Sequence, residues 1–156
     1  MSIHARIDDL SAPESREIVA EHLADMQGNS PKGSVFALAI DGLREPDVTF
    51  WTAWHEDALC GCGALKALDA ISGEIKTMRT REAFLRQGVA SVIFDTILTE
   101  ARKRGYENLF LETGTGAAFE AAHQFYLRRG FDWCDAFADS PDTDFNVFMM
   151  KTLRDN

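Results

Sequence analysis

The stretch Phe84-Leu85-Arg86-Gln87-Gly88-Val89-Ala90-Ser91 sets a cation, an amide and a glycine directly before an amphipathic run. Ala90, Ile93, Phe94, Ile97, Leu98 and Ala101 then recur at i, i+3, i+4 and i+7, which predicts a helix over 89–104, closed by Gly105. The first N–H groups of such a helix lack intrahelical partners and lie at the positive end of its dipole. Gly88 lets a ligand come close to the backbone, Ala90 keeps that approach open, and Arg86 adds charge. Together they suit a diphosphate cradle. The plainer reading is a glycine turn that only shapes the helix start. A nucleotide fold would want a longer glycine loop followed by Lys-Ser/Thr, or an acidic ribose ligand, and the sequence has neither.

Two carboxylates stand where a proton could be taken. Glu74 alternates with Lys76, Met78 and Thr80 against Ile75 and Thr77 on an expected strand. Glu112 falls near the end of the next strand, at the strand end where ligands of parallel sheets collect. Each has a structural alternative: an ion-pair partner for Lys76 or an arginine in one case, a cap beside Thr113-Gly114-Thr115-Gly116 in the other. Cys60 and Cys62, spaced C-x-C in an apparent strand, are expected to face one side as free core thiols, with Cys134 also unpaired. His4, His22, His55 and His123 are far apart in sequence, so no metal site is expected, since one needs three or four converging ligands.

The elements that must position these residues follow from periodicity and turn signals. Residues 3–9 alternate as a short strand. Ser11 and Pro13 open a helix over 11–26, and 35–45 form a second, stopped by Pro46. Residues 48–68 read as a hairpin turning at His55-Glu56-Asp57, and 72–81 as the next strand. A strand over 106–113, a helix over 116–130 closed by glycine, and two final strands over 131–137 and 144–153 complete the order. The strand–helix–strand unit around 74–112 implies a parallel crossover in an otherwise antiparallel sheet.

The segments Glu74-Ile75-Lys76-Thr77-Met78, Arg86-Gln87-Gly88-Val89-Ala90, Asn108-Leu109-Phe110-Leu111-Glu112 and Tyr126-Leu127-Arg128-Arg129-Gly130-Phe131 resemble the GNAT (Gcn5-related) N-acetyltransferase family, and its uncharacterised bacterial members in particular. The likeness is close over about 72–131 and holds in element order along the whole chain. Leu85 departs from it, standing where the family usually has Gln or Arg, as does the missing Asn before the tyrosine helix, near Phe119. The resemblance implies one α/β (α+β) domain over 1–156, with a mixed, centrally splayed sheet of about 6–7 strands flanked by helices.

It also implies acetyl-CoA as co-substrate, held at its pyrophosphate by the amides of Arg86, Gln87, Gly88, Val89, Ala90 and Ser91. The pantetheine arm would pair like an added strand along Met78, Arg79 and Thr80. Direct transfer to an amine needs a base, because an alkyl ammonium has a pKa of about 10.4. It also needs a donor for the departing thiol. Tyr126 matches the family's acid, and Glu74 and Glu112 are the candidate bases. Acceptor recognition is expected from the N-terminal helical region, with His22, Asp25 and the 28–36 loop as candidates. Trp51 and Trp54 are read as strand packing, and Arg128 and Arg129 as surface cations within reach of the nucleotide.

The function implied is an acetyl-CoA-dependent N-acetyltransferase acting on a primary amine of a small molecule, amino acid or peptide. The alternative is a non-catalytic acyl-CoA sensor. A net charge of −9 argues against nucleic acid as partner. With no signal pattern and no apolar run of bilayer length, a cytoplasmic protein away from membranes is expected. An exposed C-terminal strand would offer a homodimer contact.

Overall fold

The computed structural model describes residues 2–27, 33–137 and 146–153. In chain order these form β1 (His4–Ile7), α1 (Pro13–Gln27), α2 (Gly33–Leu43), β2 (Val48–His55), β3 (Ala58–Ala67), β4 (Ser72–Thr80), α3 (Val89–Lys103), β5 (Asn108–Thr113), α4 (Glu120–Arg128), β6 (Asp132–Cys134) and β7 (Val147–Thr152). The seven strands make one sheet in the order β1-β2-β3-β4-β5-β7-β6. Only the β4–β5 pair is parallel, joined through α3; the other neighbours are antiparallel.

Both sheet faces are covered, which explains why β2 and β3 are apolar almost throughout. One face packs on α3 and α4 through Ile75, Val89, Ile93, Phe94, Tyr126 and Phe131. The other packs on α1 and α2 through Ile18, Val19, Ile40, Phe50 and Ala64. Gly61 and Gly63 let α3 approach β3: a Cβ on Gly63 would come within 2.6 Å of both Ile93 and the Met78 sulfur. Trp51 and Trp54 are packing residues, one in each core, and the Trp54 indole donates to Thr52 Oγ1 at 2.7 Å.

Irregularities in the strands overturn two simple expectations, and the strand order and the start of α4 overturn two more. In β4 the register with β3 slips between Ala64↔Lys76 and Cys62↔Arg79, so three residues of β4 span two of β3. Thr77 takes up the extra residue as a bulge with φ of 55°. The bulge reverses the side-chain phase. Met78 joins Ile75 on the α3 face, whereas Glu74 and Lys76 lie on the opposite one and do not share a face with Met78. A second slip, at Ala53/Trp54, breaks the C-x-C alternation: Cys60 lies in the α3-side core and Cys62 in the α1-side core, not together. The C-terminal strand β7 is interior, paired with β5 and β6 on its two sides, so the sheet edges are β1 and β6. The helix expected over 116–130 begins as a 3₁₀ turn over Ala117–Phe119 and becomes α-helical only at Glu120. Among the described residues no helix is long and apolar enough to cross a membrane.

Candidate active site

The site is built where the sheet comes apart. β4 and β5 pair only over Ser72–Ile75 and Asn108–Leu111. Beyond Ile75 the last five residues of β4 keep β3 on one side but have no β5 partner on the other. A backbone edge is thereby left open next to a gap, as an added extended chain would require.

The N-terminus of α3 faces that gap. Gly88 is its N-cap, with φ of 87°, and among the described residues no side-chain hydrogen bond caps the helix. The first helical bond with clear geometry runs from Val92 N–H to the Gly88 carbonyl at 3.1 Å. The N–H groups of Val89, Ala90 and Ser91, in the first turn of α3, therefore have no helical partner. A Cβ on Gly88 would meet nothing within 4 Å, so the space in front of the helix is open. Arg86, just before it, also adopts a positive φ of 62°. Arg129 braces the turn from α4: it donates to Ser91 Oγ at 2.6 Å and lies 3.6 Å over the Phe125 ring.

A cavity of about 850 Å³ occupies the gap. Met78, Arg79, Thr80, Arg86, Gly88, Val89, Ala90 and Ser91 all line it, as do Tyr126 and, at its other end, His22 and Asp25. Of the expected co-substrate residues, Gln87 alone is absent from the wall; its side chain donates to the Ala83 carbonyl at 3.3 Å. Phe119, Phe125 and Arg128 complete the α4 side. Tyr126 is buried among Phe94, Phe125 and Phe131. Burial pushes its phenol well above the usual tyrosine value, against a smaller opposing pull from Arg129, so it stays protonated.

A second cavity, of about 420 Å³, lies on the α1–α2 face. Val19, Leu23, Leu43 and Val48 give it apolar walls, and Lys66, Lys76, Glu45 and Asp47 give it charge of both signs. His22 lines both cavities and is the one described residue common to the two. Burial, aided by the neighbouring Arg79 guanidinium, lowers its pKa to about 4, so the imidazole is neutral near pH 7.

Neither candidate base lines either of these two cavities. Glu74 is buried, 3.8 Å from Lys76 Nζ and in register with Lys66. Its pKa is raised, first by burial and further by Glu112, against opposing pulls from Lys76 and Lys66. Glu112 accepts a hydrogen bond from Asn146. The phase reversal at Thr77 is what separates Glu74 from Met78, and one sequence cannot reveal a bulge. The second cavity was not legible either, because it forms only where α1 and α2 pack beside β4. Residues 28–32 of the expected acceptor loop lie outside the described residues.

A splayed sheet with an open strand edge and an uncapped helix before it defines an acyl-CoA acyltransferase architecture. The sequence profile of the acetyltransferase (GNAT) family matches residues 12–131. Two bacterial relatives are described as uncharacterized N-acetyltransferases. YsnE of Bacillus subtilis is 49% identical over 97% of this chain and 100% of its own. YedL of Escherichia coli is 46% identical over 97% of this chain and 95% of its own. Among solved structures, a Klebsiella pneumoniae protein described as an acyl-CoA N-acyltransferase superposes with a TM-score of 0.81 at 23% identity, over 97% of this chain and 98% of that one. The chain belongs to the GNAT family and is an acetyltransferase.

Proposed function

We propose that the protein transfers the acetyl group of acetyl-CoA to a primary amine held on the α1–α2 side of the splay. The observation that carries this reading is the uncapped α3 N-terminus opening onto the unpaired edge of β4 within one cavity. Acetyl-CoA supplies the thioester: the amine nitrogen forms a bond to the carbonyl carbon, and the carbon–sulfur bond breaks. The amides of residues 86–91 hold the diphosphate at the positive end of the α3 dipole, and Arg86 adds charge beside them. Met78, Arg79 and Thr80 receive the pantetheine arm as an added strand and direct a backbone N–H at the acetyl carbonyl. Tyr126, kept protonated by burial, donates a hydrogen bond to sulfur as charge builds there. Glu74 and Glu112, paired with Lys76 and Asn146, border neither cavity and so do not meet the amine directly.

The test is Gly88→Val against acetyl-CoA by isothermal titration. A branched side chain fills the open space before α3, and we expect at least about tenfold weaker binding. The positive φ of Gly88 means that valine also costs stability, of order 1–2 kcal/mol. Gly105→Val supplies the control, because Gly105 has a φ of 81° and equally open surroundings at the far end of the same helix. Affinity lost in Gly88→Val but kept in Gly105→Val supports the cradle; equal affinity in both refutes it.

A further inference from the structure

We propose that His22 is the group on α1 that takes the proton from the acceptor nitrogen, an inference that rests on the acetyl-transfer reading above. The argument is positional. An amine held in the 420 Å³ cavity must meet an acyl group held in the 850 Å³ cavity, and His22 is the described side chain that borders both. The other proton acceptors are less well placed. Asp25 borders only the larger cavity and is held by the Arg79 guanidinium. Glu45 and Asp47 border only the smaller one and are exposed at its rim. Glu74 and Glu112 border neither.

The surroundings of His22 define which proton it can accept. Arg79 from β4 and Asp25 from its own helix act on it directly, and Lys66, Lys76, Glu45, Asp47, Arg86 and Arg128 face the two cavities it borders. With its pKa held down to about 4, the imidazole is neutral and ready to accept, yet too weak a base to strip a free alkyl ammonium of pKa about 10.4. The amine must therefore arrive uncharged. Once the nitrogen–carbon bond forms, the nitrogen turns cationic and far more acidic than a free ammonium, and His22 takes that proton. The adduct then breaks its carbon–sulfur bond, sulfur gains the Tyr126 proton, the phenol regains one from solvent, and the imidazolium returns its own to solvent.

The experiment follows thiol release from acetyl-CoA across a panel of primary amines for wild type, His22→Gln and His22→Ala, with acetyl-CoA titrated calorimetrically into each. On the best amine, His22→Gln should lower kcat about a hundredfold, the scale of lost general-base catalysis, with acetyl-CoA affinity within about twofold. Added imidazole should restore turnover to His22→Ala, which a merely structural role would not allow. The wild-type kcat/KM for the amine should rise with pH until the amine's own pKa is reached. Should His22→Gln hold kcat within threefold, or fail to bind acetyl-CoA while imidazole leaves His22→Ala unrescued, the proposal falls. Wild type that binds acetyl-CoA yet releases thiol with no amine would sink the acetyl-transfer reading itself.

Discussion

Tyr126 is enclosed by three aromatic rings, with centroids at 5.2 Å from Phe125, 5.2 Å from Phe131 and 6.3 Å from Phe94, and it borders the acyl cavity. On the proposed reading packing and chemistry fall on one side chain, and Tyr126→Phe separates them. The ring contacts survive and only the hydroxyl goes, so acetyl-CoA affinity should stay within about twofold while kcat falls about tenfold to a hundredfold, read by steady-state thiol release. Glu74 makes a different prediction. Its carboxyl is buried and its pKa is raised above 4.5, so the folded chain holds the proton more tightly than the unfolded chain does. For a raised acid, stability is greatest below the unfolded pKa and is lost as pH rises through the folded one. Glu74→Gln, neutral at every pH, should therefore raise the urea midpoint at pH 7 relative to wild type. That advantage should shrink as the pH is lowered through 4.5 and wild type becomes protonated as well.

At the scale of elements, the hydrophobic periods were sufficient to order the strands and helices, because each covers a face long enough to average out local accidents. The run 89–104 needed only its apolar stripe and its flanking glycines to be recognised as a helix, and α3 spans Val89–Lys103. Single-residue events defeat that averaging. The extra residue at Thr77 changes the face of everything after it in β4, and nothing in Lys76-Thr77-Met78 marks it, since threonine disfavours a φ of 55°. The proposed cradle could be picked out as a candidate because its glycine and cation are contiguous; the pairing of His22 with two cavities could not, because it depends on how α1 lies beside β4. Gly61 and Gly63 of β3 mark a close approach that was not singled out from the sequence. A Cβ on Gly61 would stand 2.6 Å from the Arg79 carbonyl and 2.7 Å from Val89 Cγ1. Gly61→Ala should then push α3 away from the sheet and lower unfolding free energy by about 1–3 kcal/mol, measured in urea, with acetyl-CoA affinity falling too because Val89 opens the cradle.

Across the whole molecule, charge is distributed against its average. The chain carries a net −9, yet Arg79, Arg86 and Arg128 line the acyl cavity with Asp25 as its acid. Acids of α1 hold two arginines at the end of β4 and just beyond it: Arg79 pairs with Asp25, and Arg81 donates to Glu21 at 2.9 Å. On the proposed reading, an anionic co-substrate approaches a molecule of net negative charge and is received by a short-range cationic patch. Repulsion from distant acids and attraction to nearby arginines respond differently to salt, because exposed charges beyond about 10 Å are screened at 0.1 M ionic strength. Arg128 is exposed on the cavity rim, so its contribution should be modest and strongly screened. Arg128→Gln is expected to weaken acetyl-CoA about twofold to fivefold in low salt, and this difference should vanish at about 0.5 M sodium chloride. Titrations of wild type and variant at both salt concentrations measure it. A loss that persists undiminished in high salt would mean that Arg128 makes a desolvated contact to the nucleotide rather than a long-range one, which its place on the rim argues against.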